Sequence, residues 1–211
     1  DQQNQTPPKA SLDYPLAKLQ CSADDLPNIL VIAVDSLRAD QVDSATMPFL
    51  ASYAKKNMDF TEHLSGGNQF SSGMFSLLYG LQGSYSNAVD LHFRSPVLTQ
   101  ELSDKGYQLA LFTTQDTLGQ PQAIFNDFTR VNSEHIDSYA KSDLQSVANW
   151  QKWTQSAAQP WFSLLNLKSP ESYDTPIGFL GIITVQASSK FKPAQKVLFN
   201  QYRQSLNFID K

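Results

Sequence analysis

The 211 residues of this chain suffice for one domain with a substantial core, and 41% apolar with 17% charged residues is an ordinary globular balance. The formal net charge of −4 argues against a nucleic-acid partner, and no apolar run approaches the roughly 18 residues of a transmembrane helix. The single cysteine, Cys21, excludes an internal disulfide and a metal cluster of several thiolates.

Residues 1–26 are polar and contain Pro7, Pro8 and Pro15, a composition that predicts a disordered or loosely docked linker. The start, DQQNQTPPKAS, lacks the pattern of a signal peptide, and we expect it to be a tether or the cut end of a longer chain. The predicted domain covers residues 27–211.

The stretch PNILVIAVDSLRAD, residues 27–40, is the strongest local signal in the chain. Residues 28–34 are an almost unbroken apolar run rich in β-branched side chains, which predicts a strand buried on both faces in the middle of a parallel sheet. Asp35 follows at the carboxyl end of that strand, the edge at which open α/β proteins place their sites. We interpret Asp35 as a candidate metal ligand, the alternative being that it only caps the next turn.

Further helices and strands are predicted from hydrophobic spacing and turn residues. The predicted helices cover residues 47–57 with Thr46 as N-cap, 70–79, 96–105 closed by Gly106, 120–127, 142–156 opened by a capping box of Ser142 and Gln145, and 194–211. The predicted strands cover residues 58–63, 107–113 and 161–167, and residues 182–185 are either a short strand or an apolar loop. This alternation indicates an α/β fold with a mainly parallel sheet and helices on both faces.

A second candidate site lies in GGNQFSSGMFSLLYG, residues 66–80. Gly67 and Asn68 belong to a turn directly before the predicted helix at residues 70–79. The N–H groups that open a helix have no intrahelical partner and favour an anion, so Gly67–Ser72 is a candidate anion-binding turn. The alternative is a well-capped helix that binds nothing.

Three segments, PNILVIAVDSLRAD, TMPFLASYAKKNMDFTEHLSGGN and GMFSLLYG, resemble the first half of the sulfatase and alkaline-phosphatase superfamily. The runs RSPVLTQELSDKGYQLALFTT and PWFSLLNL are similar to its bacterial inner-membrane, sulfatase-like members. The resemblance implies a domain on the periplasmic side of the inner membrane, tethered by transmembrane helices outside this chain. It also implies a role in outer-membrane lipid homeostasis, with cardiolipin or lipopolysaccharide (lipid A) and inner-membrane proteins as partners. The chain would then be a truncated first half, without the Asp and His metal ligands of the second half.

The resemblance further implies catalysis by a divalent metal and a nucleophile at a helix N-terminus. Asp35 matches the first metal ligand of the superfamily, and the nucleophile belongs to a pattern GN-x-T-R-x-G that aligns with Gly67–Gly73. Phe70 stands in place of the threonine and Ser71 in place of the arginine, so the nucleophile and a bidentate phosphate contact are both missing. Ser71 or Ser72 replaces the nucleophile only if the alignment slips by one or two residues.

Of the three histidines, His63 matches a histidine near the site of the superfamily, and we expect it to form a hydrogen bond rather than to bind a metal. We therefore assign no cofactor to this chain itself and expect one divalent cation in the full-length protein if the metal site is kept.

These observations leave three functions open. The first is a non-catalytic periplasmic module that uses the surface of a hydrolase fold for lipid or protein contacts. The second is a metal-dependent phosphatase, sulfatase or lipid headgroup transferase, which rests on Asp35 and the superfamily fold. The third is a structural domain that stabilises the membrane part. Phe70 at the nucleophile position favours the first, and the charge of −4 indicates a local lipid contact rather than bulk attraction to an anionic bilayer.

Overall fold

The centre of the fold is a four-stranded parallel sheet. The computed structural model describes residues 12–19, 22, 25–88, 95–114, 122–133, 138–181, 184 and 191–211. The strands in these ranges are β1 (Ile29–Val34), β2 (Gln108–Thr114), β3 (Thr129–Ser133) and β4 (Trp161–Leu167). They lie in the order β1-β4-β2-β3, and each neighbouring pair runs parallel. The prediction of an α/β fold with a mainly parallel sheet is confirmed.

Helices cover both faces of this sheet, as predicted. In the described ranges the α-helices are α1 (Pro48–Ala54), α2 (Phe70–Tyr79), α3 (Val97–Asp104), α4 (Tyr139–Thr154) and α5 (Pro193–Asp210). On one face, Phe112 of the sheet packs against Trp153 of α4. On the other face, Leu164 shares a core with Phe75 of α2 and with the apolar side of α3. No helix in the described ranges combines the length and the apolarity needed to cross a membrane.

Most predicted elements keep their type and change only at their ends. The helix at residues 70–79 and the strand at residues 161–167 have the predicted bounds. The helix predicted at 120–127 is a short 3-10 helix over Gln122–Phe125. Gly106 adopts the left-handed conformation (φ 83°) expected of the residue that ends α3. Most of residues 182–185 lie outside the described residues, so that prediction stays a prediction.

One strand prediction is wrong, and one strand of the structure was not predicted. Residues 58–63 form a loop with a turn, in which Met58 and Phe60 are 86% and 76% exposed, and they join no strand of the described sheet. The pattern also misses β3. Its sequence, TRVNS, has one apolar side chain, Val131, because an edge strand buries less surface than a central strand.

The start of α4 also differs from its prediction. The helix begins at Tyr139 and Ser138 is its N-cap, whereas Ser142 and Gln145 lie within the helix. The hydroxyl of Ser138 donates a hydrogen bond to Asp174 Oδ2 at 2.6 Å. A distant carboxylate therefore helps to place the N-terminus one turn earlier than the local capping-box pattern indicates.

The N-terminal cap of α1 comes from the far end of the chain. Asp210, in the last turn of α5, accepts hydrogen bonds from the N–H groups of Phe49 and Leu50, both at 2.8 Å. The predicted N-cap, Thr46, is buried, and Met47 occupies the N-cap position without a side-chain hydrogen bond. The predicted cap is wrong because the acceptor is tertiary rather than local.

The position of β1 differs from the expectation of a strand in the middle of the sheet. In the described sheet β1 is an edge strand that pairs only with β4. Val31 and Ala33 pack on the core, but Leu30 and Ile32 are 36% and 54% exposed. The expectation that β1 is buried on both faces is therefore wrong for this chain.

The described part of the segment before the domain contacts it through Leu12, which packs on the core and donates its N–H to the carbonyl of Ala88 at 3.1 Å, and through Tyr14. Tyr14 is buried, and its hydroxyl donates a hydrogen bond to the carbonyl of Tyr79 at 2.8 Å. The same hydroxyl accepts a hydrogen bond from the N–H of Val97 at 3.0 Å. Tyr14 thus joins the end of α2 to the start of α3.

Candidate functional site

A cleft of about 350 Å³ lies at the carboxyl edge of the sheet, between the end of β1, the end of β4 and the start of α2. Its lining combines the end of β1, the turn before α2 and one strand residue of β4: Ala33, Val34, Asp35, Ser36, Leu37, Ser65, Gly67, Asn68, Gln69, Phe70, Gly73, Met74 and Asn166. The structure therefore brings Asp35 together with Gly67, Asn68 and Phe70, which belong to a segment far from it in the sequence. Ser71 and Ser72 are not among the lining residues.

Asp35 is held at this edge by the strand ladder. Its backbone N–H donates a hydrogen bond to the carbonyl of Leu167 at 2.9 Å, which aligns the ends of β1 and β4. Burial raises the pKa of the Asp35 carboxyl, and the negative charge of Glu171 raises it further, while Lys168 and the N–H of Ser36 act in the opposite direction. A carboxyl with a shifted pKa in a cleft is a functional-site candidate on physical grounds.

The turn after Asp35 is strained and is held by α5. Ser36 has a positive φ of 59°, a conformation that costs a residue with a side chain on the order of 1–3 kcal/mol. The hydroxyl of Tyr202 donates a hydrogen bond to the carbonyl of Ser36 at 2.7 Å and accepts one from the N–H of Arg38 at 3.1 Å. Two bonds to one buried tyrosine thus fix the direction in which the chain leaves Asp35.

The N-terminus of α2 forms the opposite wall of the cleft. Gln69 is the N-cap and makes no side-chain capping bond, so the first N–H groups of this ten-residue helix keep their positive partial charge. Phe70 is the first helical residue, and its half-buried ring stacks on Phe125 with the ring centroids 6.3 Å apart. An aromatic ring therefore lines the cleft at the first position of this helix.

The packing of the glycine turn shows why Ser72 does not reach the cleft. A Cβ atom at Gly67 would lie only 2.5 Å from the Cβ of Ser72, so this serine packs directly beneath the turn. Ser65 also supports the turn, because its hydroxyl donates a hydrogen bond to the carbonyl of Gly67 at 2.6 Å. Glycine at position 67 is required by this close approach.

Asn166 is a cleft residue that the sequence pattern does not identify. It is 1% exposed, it lines the cleft, and its Oδ1 atom has no hydrogen-bond partner in the described part of the chain. A buried amide oxygen without a partner is costly and calls for an explanation at the site. The available signal was a polar residue near the end of a largely apolar strand, WFSLLNL.

The loop after β4 carries the charges that act on Asp35, and α4 holds this loop in place. Asp143 of α4 is buried and accepts hydrogen bonds from the N–H groups of Lys168 (2.9 Å) and Ser169 (2.8 Å). The hydroxyl of Ser169 also donates to Asp143. Lys168 Nζ forms an ion pair with Glu171 at 3.0 Å. Asp143 thus determines where this ion pair lies relative to the cleft.

The cleft has oxygen donors but not a complete metal site. Asp35 is the one carboxylate among the described residues that line the cleft, whereas sites for hard divalent cations combine carboxylates with further oxygen ligands. The described part of the chain contains no group of three or more His, Cys, Asp or Glu side chains able to hold a metal ion. His63 is exposed and lines a different hollow, beside Asp59 and Phe60. The two other histidines lie outside the described residues.

Asp35→Asn is expected to raise the free energy of unfolding at pH 7, because the variant buries no charge at this position. The pKa of Asp35 is raised in the folded chain, so the wild type gains stability as the pH falls through that pKa toward the ordinary aspartate value. The variant lacks this gain, and its advantage should shrink toward acid pH. Urea unfolding of both proteins between about pH 4 and pH 7 measures the difference. A variant that is less stable than the wild type at pH 7 contradicts this account of Asp35.

Comparison with known sequences finds a matching protein family and similar bacterial proteins. The sequence profile of the Sulfatase family matches residues 27–206. The chain is 34% identical over 177 residues to "Inner membrane protein YejM" of Salmonella typhimurium, a match that covers 80% of this chain and 29% of that protein. It is 31% identical over 171 residues to an uncharacterized protein of Haemophilus influenzae, covering 77% of this chain and 29% of that protein. The chain spans less than a third of the length of these relatives.

Solved structures show the same fold. The C-terminal periplasmic domain of EcEptC from Escherichia coli, solved as a complex with Zn, has a TM-score of 0.67 at 13% identity, covering 89% of this chain and 57% of that chain. BT1596, a 2-O GAG sulfatase, has a TM-score of 0.63 at 13% identity, covering 88% of this chain and 52% of that chain. At these identities the likeness concerns the fold alone.

Proposed function

Because this chain belongs to the sulfatase family, we propose that it forms the first part of a periplasmic, sulfatase-like domain of an inner-membrane protein. The relatives described as inner-membrane proteins support the membrane attachment, and the periplasmic domain among the solved structures supports the compartment. In this proposal the membrane-spanning part lies outside the 211 residues.

We propose further that the domain is not a catalyst. The observation that carries this proposal is Phe70, whose ring stacks on Phe125 at the first position of α2. Phenylalanine has no atom that attacks an ester, and neither Ser71 nor Ser72 lines the cleft. The cleft then serves to bind a ligand rather than to cleave it.

The proposed ligand is the phosphorylated headgroup of an outer-membrane lipid or its precursor, cardiolipin or lipid A, in a role in lipid homeostasis. The uncapped N-terminus of α2 and the glycine turn favour an anion, and the cleft is large enough for a phosphate group with its immediate substituents. The net charge of −4 requires this contact to be local, because the whole chain does not attract an anionic surface.

The alternative proposal is that the full-length protein retains an enzymatic activity of the family. It is favoured by Asp35 and the unpartnered Oδ1 of Asn166, two oxygen donors that line the same cleft. Hard divalent cations prefer such ligands, and residues outside this chain would have to complete the set. The full-length protein would then be a metal-dependent phosphatase, sulfatase or lipid headgroup phosphotransferase.

Ester turnover separates these two functions. We expect the purified chain and the full-length protein, each with added divalent cations, to hydrolyse phosphate and sulfate esters no faster than buffer does. Turnover by either protein that disappears in its Asp35→Ala variant would overturn the non-catalytic proposal and establish the enzyme. Phe70→Thr in the full-length protein is a second variant for the same assay, since it restores the hydroxyl of the family pattern.

Lipid binding is tested by a nearly isosteric change in the turn. The full-length protein in detergent should bind cardiolipin or lipid A more tightly than a zwitterionic lipid, and Asn68→Asp should weaken this binding several-fold through charge repulsion. Glu62→Gln, an exposed position outside the cleft, is the control and should leave binding unchanged. If Asn68→Asp binds as tightly as the wild type, the cleft is not the lipid site.

A further inference from the structure

A second space of the size of a small molecule, which we call the aromatic pocket, lies next to the cleft. Its volume of about 380 Å³ falls within the range of about 300–1,000 Å³ that is typical of ligand pockets. Its walls come from the turn after β1, the loop after β4 and α5, and they include Ser36, Arg38, Glu171, Tyr173, Phe199 and Tyr202. Ser36 also lines the cleft, so the two spaces adjoin at this residue.

Three aromatic rings in contact with one another line the aromatic pocket. The ring centroids of Tyr173 and Tyr202 lie 5.6 Å apart, and those of Tyr202 and Phe199 lie 6.4 Å apart. Tyr202 is buried, whereas Tyr173 is 42% exposed. The rings thus supply apolar aromatic surface to a pocket whose other walls carry charged and hydroxyl groups.

The backbone is strained at two residues of the aromatic pocket. Ser36 and Tyr173, with φ values of 59° and 58°, are the two residues other than glycine that have a positive φ in the described part of the chain. They belong to separate loops, and both line the pocket. Such conformations are unfavourable and cluster at binding and active sites. The strain at Tyr173 holds a half-exposed ring at the pocket, which favours a role of this residue in binding.

The charged side chains of the aromatic pocket are already paired. Arg38 donates hydrogen bonds from Nε and Nη2 to the carboxylate of Asp40, at 2.9 and 2.6 Å. Glu171 forms an ion pair with Lys168 Nζ at 3.0 Å. Because these charges are balanced, the pocket favours an uncharged group over an ammonium group or a second phosphate. A sugar ring has the matching chemistry, since its C–H faces pack on aromatic rings and its hydroxyl groups form hydrogen bonds with carboxylate and guanidinium groups.

We propose that the aromatic pocket is a sugar-binding subsite, so that the ligand of the whole site is a phosphorylated sugar. This inference rests on the proposed anion site at the start of α2 and identifies the group that the phosphate carries. A phosphate in the cleft has its substituent directed past Ser36 into the aromatic pocket, where Tyr173 packs on the sugar ring. Glycerol phosphates share the anion but have no ring, so they leave the aromatic side chains uncovered.

Soluble phosphates of similar charge test the sugar subsite. Isothermal titration calorimetry measures the binding of glucose 1-phosphate, glycerol 3-phosphate and inorganic phosphate to the full-length protein in detergent. We expect glucose 1-phosphate to bind at least tenfold more tightly than the other two. Tyr173→Ala should abolish this preference and leave the affinity for inorganic phosphate within twofold, whereas Tyr173→Phe, which keeps the ring, should retain the preference. Tyr53→Ala, at an exposed tyrosine outside both spaces, is the matched control and should change none of the affinities.

Competition shows whether the sugar phosphate is a lipid headgroup or a free molecule. Lipid A in detergent micelles should displace glucose 1-phosphate, because its phosphate groups are carried on sugar rings. Displacement supports the subsite with a lipid as the source of the sugar phosphate. A lipid A preparation that leaves glucose 1-phosphate bound supports the subsite with a free sugar phosphate, and overturns the proposed lipid ligand.

The three affinities also separate the sugar subsite from the anion site on which it rests. Equal binding of all three phosphates, still weakened by Asn68→Asp, overturns the sugar subsite and leaves the anion site standing. Absence of binding by all three overturns the anion site and the subsite together. A preference for glucose 1-phosphate that Tyr173→Ala does not reduce overturns the placement of the sugar in the aromatic pocket. The comparison of the three phosphates uses the unmodified protein, so it remains decisive if Tyr173→Ala does not fold.

Discussion

Asp143→Ala is expected to lower the free energy of unfolding by about 3–5 kcal/mol, because it leaves buried donors without an acceptor. The carboxylate accepts hydrogen bonds from the N–H groups of Lys168 and Ser169 and from the hydroxyl of Ser169. Asp143 and Ser169 are 2% and 0% exposed, so water does not replace these bonds without local opening. Urea unfolding at pH 7 measures the loss.

Asp104→Ala is the matched control for this change. Asp104 is an exposed residue at the end of α3 that accepts one surface hydrogen bond from Gln100 at 3.1 Å. Its loss should change stability by no more than about 0.5 kcal/mol. If Asp143→Ala behaves like Asp104→Ala, the loop after β4 is held by other contacts, and Asp143 does not position the ion pair beside the cleft.

Phe75→Ala is the second large effect, with an expected loss of about 3–5 kcal/mol from a cavity in the core. Phe75 is 0% exposed and stacks on Tyr79 with the ring centroids 4.6 Å apart. This packing fixes α2 against the sheet and thereby directs the N-terminus of the helix at Asp35. Chemical denaturation measures the stability of the variant, and amide exchange at the start of α2 reports whether that wall of the cleft loosens.

Leu77→Ala provides the comparison on the same helix. Leu77 is 43% exposed, so its truncation creates no closed cavity and should cost less than about 1 kcal/mol. Similar losses in the two variants would mean that the burial of Phe75 does not determine the stability of α2, since alanine is the better helix former at both positions. The cleft would then depend little on the core beneath it.

The helices and strands that were predicted correctly are those whose pattern of apolar residues lies within the element itself. Residues 70–79 have helical apolar spacing and residues 161–167 are a largely apolar run, and both have their predicted bounds. The errors occur where distant residues decide. Residues 58–63 alternate like a strand but pair with no described strand, and Ser142 matches a capping box that tertiary contacts of Ser138 override.

The residues of the candidate site also divide into those with a local sequence signal and those without one. Asp35, Gly67 and Asn68 were identified because each sits beside a recognisable strand end or helix start, and the structure places them in one cleft. Asn166 and Asp143 were not identified, because a single polar residue in a strand or helix has no local signature. Their roles arise from what lies opposite them in space, namely a cleft for Asn166 and two loop N–H groups for Asp143.

The cap that Asp210 places on α1 has a consequence for the order of folding during synthesis. α1 has only seven residues, too few for a stable isolated helix, and its N-terminal acceptor is made some 160 residues later. Tyr202, which holds the turn after Asp35, belongs to the same late helix. On the ribosome, β1 therefore emerges long before the residues that shape its carboxyl end. The cleft acquires its final form only when α5 has been synthesised and has docked, so contacts of high sequence separation make this edge a late event in folding.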